Sequence, residues 1–233
     1  MNLSMQPSVV SVNEGGTGLG YSKMTVRGVK GSQINVTLNG ITLNDAESQE
    51  VFWVNIHALG NMLTGVQLQR GLGTSANGAG AFGASINMNT ASAGSAPRFH
   101  IEQSAGSYCT ATTSVSAATG LTKSGFYAQG AFSFGRTDGY IRNAFGKVIS
   151  GMAVLGWMDE NDSVRLTYLV GSQRTGLTWD GISYNTYLVD RTYNGLGKYK
   201  DDEGNTKYYD NETDNYVQHH VQFNYTHAFN NGL

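Results

Sequence analysis

The sequence predicts a small α/β unit followed by about six antiparallel strands of a membrane β-barrel that the chain does not complete. Three observations predict it. From Pro97 onward, apolar and polar residues alternate over segments longer than an ordinary globular strand. The links between those segments run short on one side and longer on the other, as in outer-membrane barrels. The run Ala91-Ser92-Ala93-Gly94-Ser95-Ala96-Pro97, small residues closed by a proline, divides the chain into residues 1–96 and 97–233.

In the first part the expected strands are short: Met24–Val29, Ile34–Leu38, Val66–Gln69 and Ser85–Asn89. Turn-forming pairs, Asn39-Gly40 and Asn44-Asp45, separate them. A helix is expected near Asn55–Leu63, where Ile56, Leu59 and Leu63 fall at i, i+3 and i+7. This part holds four basic and four acidic residues.

In the second part, strands are expected at Phe99–Ala105, Cys109–Thr119, Phe126–Arg136, Val148–Met158, Val164–Arg174 and Tyr216–Phe229. The last alternates most cleanly. Val217, His219, Val221, Phe223, Tyr225, His227 and Phe229 oppose Gln218, His220, Gln222, Asn224, Thr226 and Ala228. One apolar face and one polar face sustained this far suit a barrel with lipid outside and water within; a soluble sandwich would use shorter strands. Gly120–Gly125 and Asp159–Ser163 read as short turns, Thr137–Lys147 and Thr175–Asn215 as longer loops. The link after the first strand breaks the rule by being brief.

Composition narrows the function. A net charge of −2 without a basic cluster argues against a nucleic-acid partner. One cysteine, Cys109, excludes an intrachain disulfide and a Cys-rich metal site, and is expected to pack as a small apolar residue in a strand. No apolar run is long enough for a membrane helix, which leaves strands as the way to cross. Met1-Asn2-Leu3-Ser4 has neither the basic nor the apolar region of a signal peptide.

Gly78, Gly80 and Gly83 spell G-x-G-x-x-G, the spacing of a dinucleotide-binding turn. That chemistry needs a helix opening at the glycines. Here they lead into Ala84-Ser85-Ile86-Asn87-Met88-Asn89, which alternates as a strand. The expectation is a glycine-paved turn where backbones approach closely.

The ordered series Thr25-Val26-Arg27-Gly28, Ile34–Asp45 with its Asn39-Gly40 turn, Val66–Gly71, Ser75, Gly78, Ala81-Phe82-Gly83 and Ser85-Ile86-Asn87 resembles the plug signature of TonB-dependent outer-membrane receptors. Asn77 stands where the family often has Tyr, and Ala84 where it often has a second Gly. The wording is most similar to receptors of the Bacteroidetes branch, and Leu38-Asn39-Gly40-Ile41-Thr42 lacks the V-x-D-G-V-P turn of their starch-utilisation type. The resemblance implies a plug over residues 1–96 inside a barrel that opens in residues 97–233, the chain being a fragment of the receptor. It implies the bacterial outer membrane and its lipid as surroundings, and TonB as a partner through a box preceding Met1. It implies import of a scarce solute, such as a ferric siderophore, haem or another metal chelate, with no cofactor.

The plug-motif and docking residues expected from it are Arg27, Gly28, Asn39, Gly40, Arg70, Gly71, Ser75, Gly78 and Gly83. Arg27 and Arg70 would pair with wall carboxylates, since a desolvated guanidinium needs such partners. His219 and His220 point to opposite faces of a strand, and His227 lies eight residues from His219, so they share no metal site. Asp201–Glu212 has the length of a calcium loop but Thr206 where glycine is needed, and reads as a solvated acidic loop. Seven of the 13 tyrosines lie between Tyr184 and Tyr216, suiting either an interfacial girdle or a loop that contacts a ligand. No G-x-S-x-G, H-E-x-x-H or C-x-x-C appears, so no enzyme is expected. A surface or secreted binding protein of the adhesin type is the alternative; a soluble carbohydrate enzyme is disfavoured for want of paired carboxylates.

Overall fold

The computed structural model describes residues 5–71, 82–90, 94 and 96–229. Ser75, Gly78 and most of the small-residue boundary lie outside the described residues. The first part holds a hairpin of β1 (Val9–Asn13) and β2 (Ser22–Val26) and a four-stranded sheet. That sheet comprises β3 (Ile34–Leu38), β4 (Ile41–Thr42), β5 (Leu63–Arg70) and β6 (Ala84–Thr90), in the order β4-β3-β6-β5. β3 runs parallel to β6 and is buried along its whole length, so its polar members need partners. Thr37 hydrogen-bonds Asn87 at 2.8 Å. At the edge of β3 the Asn44 amide imitates a strand, donating to Ile34 O at 2.9 Å and accepting from Val36 N–H at 2.8 Å.

Two expected elements differ. The strand through Met24 stops at Val26, because Arg27 (φ 53°) and Gly28 (φ 78°) are both left-handed. Val26 and Val29 exchange backbone hydrogen bonds of 3.2 and 3.0 Å across them, which is a two-residue hairpin turn. The helix expected near Asn55–Leu63 is a 3₁₀ segment, Trp53–Met62, with a non-helical residue at Ile56. The spacing marked a helical element whose buried residues Asn55, Ala58, Leu59 and Met62 lie along one side, but not its 3₁₀ winding or the break at Ile56.

The second part is one six-stranded antiparallel sheet in the order β14-β11-β10-β9-β8-β7. Its strands are β7 (Arg98–Ala105), β8 (Ala111–Ala118), β9 (Phe126–Thr137), β10 (Gly146–Met158), β11 (Asp162–Gly176) and β14 (Thr213–His227). All six expected strands are present. The loop before β14 carries α1 (Tyr184–Val189) and a hairpin of β12 (Lys198–Lys200) and β13 (Thr206–Tyr208), which no period announced. β7 and β14 are edges, so the sheet does not close on itself.

The two faces differ as the alternation predicts. Val217, Val221, Phe223 and Tyr225 are all more than half exposed on one face of β14, while Gln222 between them is buried on the other. Among the described residues no helix is long and apolar enough to cross a membrane, which says nothing about strands. Cys109 departs from its expected place: it is exposed in the turn between β7 and β8, at φ 51°, with Gly106 N–H donating to Thr110 O at 2.8 Å. The strand expected from Cys109 begins instead at Ala111, after the chain has reversed.

Candidate functional site

The N-terminal unit seats its Trp53–Met62 segment on the buried face of the wall, a face that mixes apolar and polar side chains. Ala58, Leu59 and Met62 join one buried cluster with Tyr127, Ala131, Met152, Val154 and Leu169 of β9, β10 and β11. Ala58 N–H donates to Ser150 Oγ at 2.6 Å within that contact. The approach is close enough to require glycine. A Cβ at Gly171 would lie 1.9 Å from Asn55 O, so β11 must lack a side chain where the segment crosses it. Nearer the edge the contact turns polar, with Asn55 Nδ2 donating to Gln218 at 3.4 Å and Asn224 Nδ2 to Asn39 O at 3.5 Å.

At the rim bearing the longer loops, residues 14–20 form a tight apical loop. Asn13 pins it, donating to Leu19 O and Tyr21 O and accepting from Thr17 N–H, each at 3.2 Å. The loop meets the β9–β10 link through Tyr140 N–H to Gly15 O at 3.0 Å and Thr137 to Thr17 at 3.2 Å. Tyr21 reaches the wall, donating its phenol to Asp214 at 2.5 Å and packing edge-on against Phe52, which in turn packs on Tyr216. Burial, and then the hydrogen bond to Asp214, hold the Tyr21 phenol well above the usual tyrosine range. Lys23 pairs with Glu14 at 2.9 Å, and the carboxylate raises its pKa.

A cavity of about 20 Å³ between the apical loop and the wall is lined by Glu14, Tyr21, Thr175 and Trp179 among others. Above it the outer loops are tied together. Arg142 pairs with Asp190 at 2.8 Å, and Asn194 donates to both Arg142 O and Leu177 O at 2.9 Å. Trp179, Tyr184 and Tyr209 stand exposed around this rim. The arrangement offers aromatic faces and hydroxyls to a solute arriving from that side. Among the described residues no three His, Cys, Asp or Glu side chains converge as metal ligands.

The sequence-predicted site residues fall into turns. Asn39 (φ 54°) and Gly40 (φ 84°) make the two-residue turn between β3 and β4, and Asn39 Oδ1 accepts from Thr90 N–H at 3.0 Å. Gly71 N–H donates to Gly83 O at 2.7 Å, and a Cβ at Gly83 would strike Val29 at 2.2 Å. That close approach, and not a phosphate, explains Gly83. Neither Arg27 nor Arg70 forms an ion pair with a described carboxylate. Arg27 is exposed and Arg70 half-buried, its Nε without a protein partner.

The histidines and the acidic loop are accounted for by neighbours. His219 stacks on Tyr168 and hydrogen-bonds its hydroxyl at 2.8 Å on the outer face; His220 bonds Gln218 at 2.8 Å on the inner one. Asp201 closes the β12–β13 turn, accepting from Asn205 N–H at 2.7 Å and pairing with Lys207 at 2.9 Å, and these bonds depress its pKa. Tyr21, Asp214, Asn55, Ser150 and Gly171 were not singled out in the sequence. Each is ordinary in its own segment, and its importance arises from a partner about 90 or more residues away.

Residues 3–85 match the family described as the TonB-dependent Receptor Plug Domain. No curated protein sequence matches the chain significantly. Among solved structures, it is similar to the copper transporter OprC, at 20% identity and TM-score 0.63 over 74% of this chain and 28% of that one. It is also similar to the ferripyoverdine receptor of the outer membrane of Pseudomonas aeruginosa, at 16% identity and TM-score 0.62 over 91% of this chain and 27% of that one. The ferric yersiniabactin uptake receptor FyuA from Yersinia pestis matches at 18% identity and TM-score 0.55, over 74% and 28%. The chain thus spans less than a third of the length of these structures, which at such identities share its fold. Residues 3–85, about a third of the chain, match that plug family, and the six-stranded sheet that follows shares the fold of the matched structures.

Proposed function

We propose that the chain forms the plug and opening barrel strands of a TonB-dependent outer-membrane receptor that imports a scarce solute, a metal chelate such as a ferric siderophore or haem. The plug occupies residues 1–96 and the wall residues 97–233. The observation that carries the reading is the seating of the plug on one face of a sheet whose opposite face is apolar and exposed. A binding-only surface protein has no use for a domain held inside its wall. The unpaired edges of β7 and β14 support the rest of the barrel lying elsewhere in the receptor, because unpaired backbone is very costly in hydrocarbon.

In this reading the outer leaflet loops and the apical loop receive the solute, and TonB, drawing on the inner membrane, displaces the plug. Arg27 and Arg70 dock the plug on carboxylates of the remaining wall. The buried, unpartnered Nε of Arg70 supports that role, since a half-buried guanidinium is stable only when paired. The test is uptake of radiolabelled ferric hydroxamate, ferric catecholate and haem by cells with and without the receptor. Accumulation that stops when the proton gradient is collapsed is expected for at least one. Binding at the surface without accumulation would support the adhesin-like alternative instead.

A further inference from the structure

The outward face of the sheet is mainly apolar from the row Trp157–Val164–Tyr225, at the rim of short turns, to the row Ile149–Ser172–Val217. Beyond that, Lys147, Arg174 and Asn215 are register partners and the face turns polar. Trp157 and Tyr225 direct their polar atoms to the rim, donating to Ser124 O at 3.2 Å and to Asp162 at 2.7 Å. One polar pair has no rim to reach. Tyr168 lies in the middle row, Ala153–Tyr168–Val221, and His219 in the next, Gly151–Val170–His219. Among the described residues the pair bonds only within itself, the rings stacked and the phenol oxygen 2.8 Å from His219 Nδ1. Whichever of the two donates, that bond leaves one donor and one acceptor over. These are Nε2–H and a phenol lone pair when Tyr168 donates, or Nε2 and the phenol O–H when the imidazole donates.

In the membrane reading above, on which this inference rests, the pair faces hydrocarbon near mid-span. Acyl chains offer no hydrogen-bonding group there, and ionisable side chains at such depth belong to protein contacts. Shape points the same way. Beside the pair, Val221 and Phe223 stand exposed as a ridge on β14. On its other side Gly130 of β9 and Gly151 and Ala153 of β10 leave a hollow. Gly171 is forced by Asn55, but these two glycines are not. An added Cβ would meet nothing closer than 3.8 Å at Gly130 and 3.4 Å at Gly151. Glycine weakens a strand interior and often marks the close approach of another backbone.

We propose that this face is a contact between two copies of the receptor, His219 and Tyr168 of one bonding Tyr168 and His219 of the other. The leftover donor and acceptor complement those of an identical pair, and a two-fold axis along the membrane normal brings the two pairs together at one depth. The same rotation sets the β14 ridge of one copy against the β9–β10 hollow of the other. A nitroxide at Val221 is too large for that hollow, so it blocks the pairing and stays in lipid.

The test uses the full-length receptor carrying Cys109→Ser, in phospholipid vesicles, with a fluorophore on Asp202→Cys in the exposed β12–β13 turn. Single-molecule photobleaching should give two steps at high receptor density and one step on dilution into lipid. His219→Leu and Gly151→Leu should each require about tenfold or more higher density to pair. One step for the parent at every density, or pairing of both variants at the parent's density, overturns the proposal. A second measurement covers poor folding of these variants. With a short bifunctional maleimide in cells, Val170→Cys, next to His219 in the sheet, should yield a cross-linked species of two receptors. Ile101→Cys, outward on the distant β7, should not. Equal cross-linking at both positions, or a product joined to a different protein at Val170, overturns the pairing. A receptor that inserts and stays single counts against the pairing alone. One that fails to insert overturns the membrane reading and the pairing with it.

Discussion

Replacing Gly171 by alanine should release the Trp53–Met62 segment from the wall without harming the wall itself. The added Cβ would sit 1.9 Å from Asn55 O, and ordinary contact begins at 3.4 Å, so the surfaces must part by about 1.5 Å. That movement stretches the 2.6 Å hydrogen bond from Ala58 to Ser150 beyond about 3.5 Å, where it no longer counts as one. A buried donor left unmade costs about 1–3 kcal/mol, and the steric strain of overpacking adds about 1–3 kcal/mol. Together, about 2–6 kcal/mol shifts docking by at least about 30-fold. The strand is expected to tolerate the change, since alanine is the better strand residue of the two. Gly130→Ala is the control: it lies in β9, where an added Cβ would meet nothing closer than 3.8 Å. The assay is hydrogen exchange over residues 53–62 in the detergent-purified receptor. Exchange in Gly171→Ala no faster than in Gly130→Ala would refute the reasoning.

Spin labels at Val221 and Gln222 should differ, the first open to a lipid-soluble quencher and the second not, as their 71% and 3% exposures require; equal quenching contradicts a lipid-facing sheet. Gly83→Ala should separate the Gly71–Gly83 contact from Val29, whose Cγ1 is 2.2 Å from the added Cβ, and cost about 1–3 kcal/mol in denaturant titration of the plug. The phenol of Tyr21, its pKa raised by burial and then by Asp214, contributes docking stability that is fully present below the ordinary tyrosine value of about 10 and is lost as pH rises through the raised one. Spin labels at Val12 and Asn215 should therefore move apart at high pH in the parent, and show no such transition in Tyr21→Phe. Arg27→Ala with Arg70→Ala should raise pore conductance in planar bilayers while the barrel still inserts; conductance equal to the parent's would remove their docking role.

The wall was legible in the sequence because its signal is local. Val217 to Phe229 alternate within one segment, and a one-residue slip would turn every side chain to the wrong face, so the pattern fixes both the strand and its orientation. Turns with two left-handed residues were partly legible. Asn39-Gly40 announced itself, whereas Arg27-Gly28 was hidden inside an apolar run and read as strand. The 3₁₀ segment escaped because Ile56, Leu59 and Leu63 fit a helical stripe by spacing, although the backbone at Ile56 leaves the helical region. Cys109 shows the opposite error, a strand carried two residues too far into a turn.

What joins plug to wall was not legible, and the reason is physical. Alternation says that Ser150, Gly171, Gln218 and Asp214 face inward, but not what meets them there. Their partners Ala58, Asn55 and Tyr21 lie 92 to 193 residues away in the pairs that bond directly, so nothing in either segment encodes the register between them. Charge was a poor guide for the same reason. Arg27 and Arg70 are conspicuous because basic residues are scarce in this part, yet within the described chain the plug is held by a phenol on a carboxylate, an amide on a hydroxyl and a glycine under a carbonyl. A contact with one carboxylate among neutral groups, and a missing side chain, leaves little trace in composition.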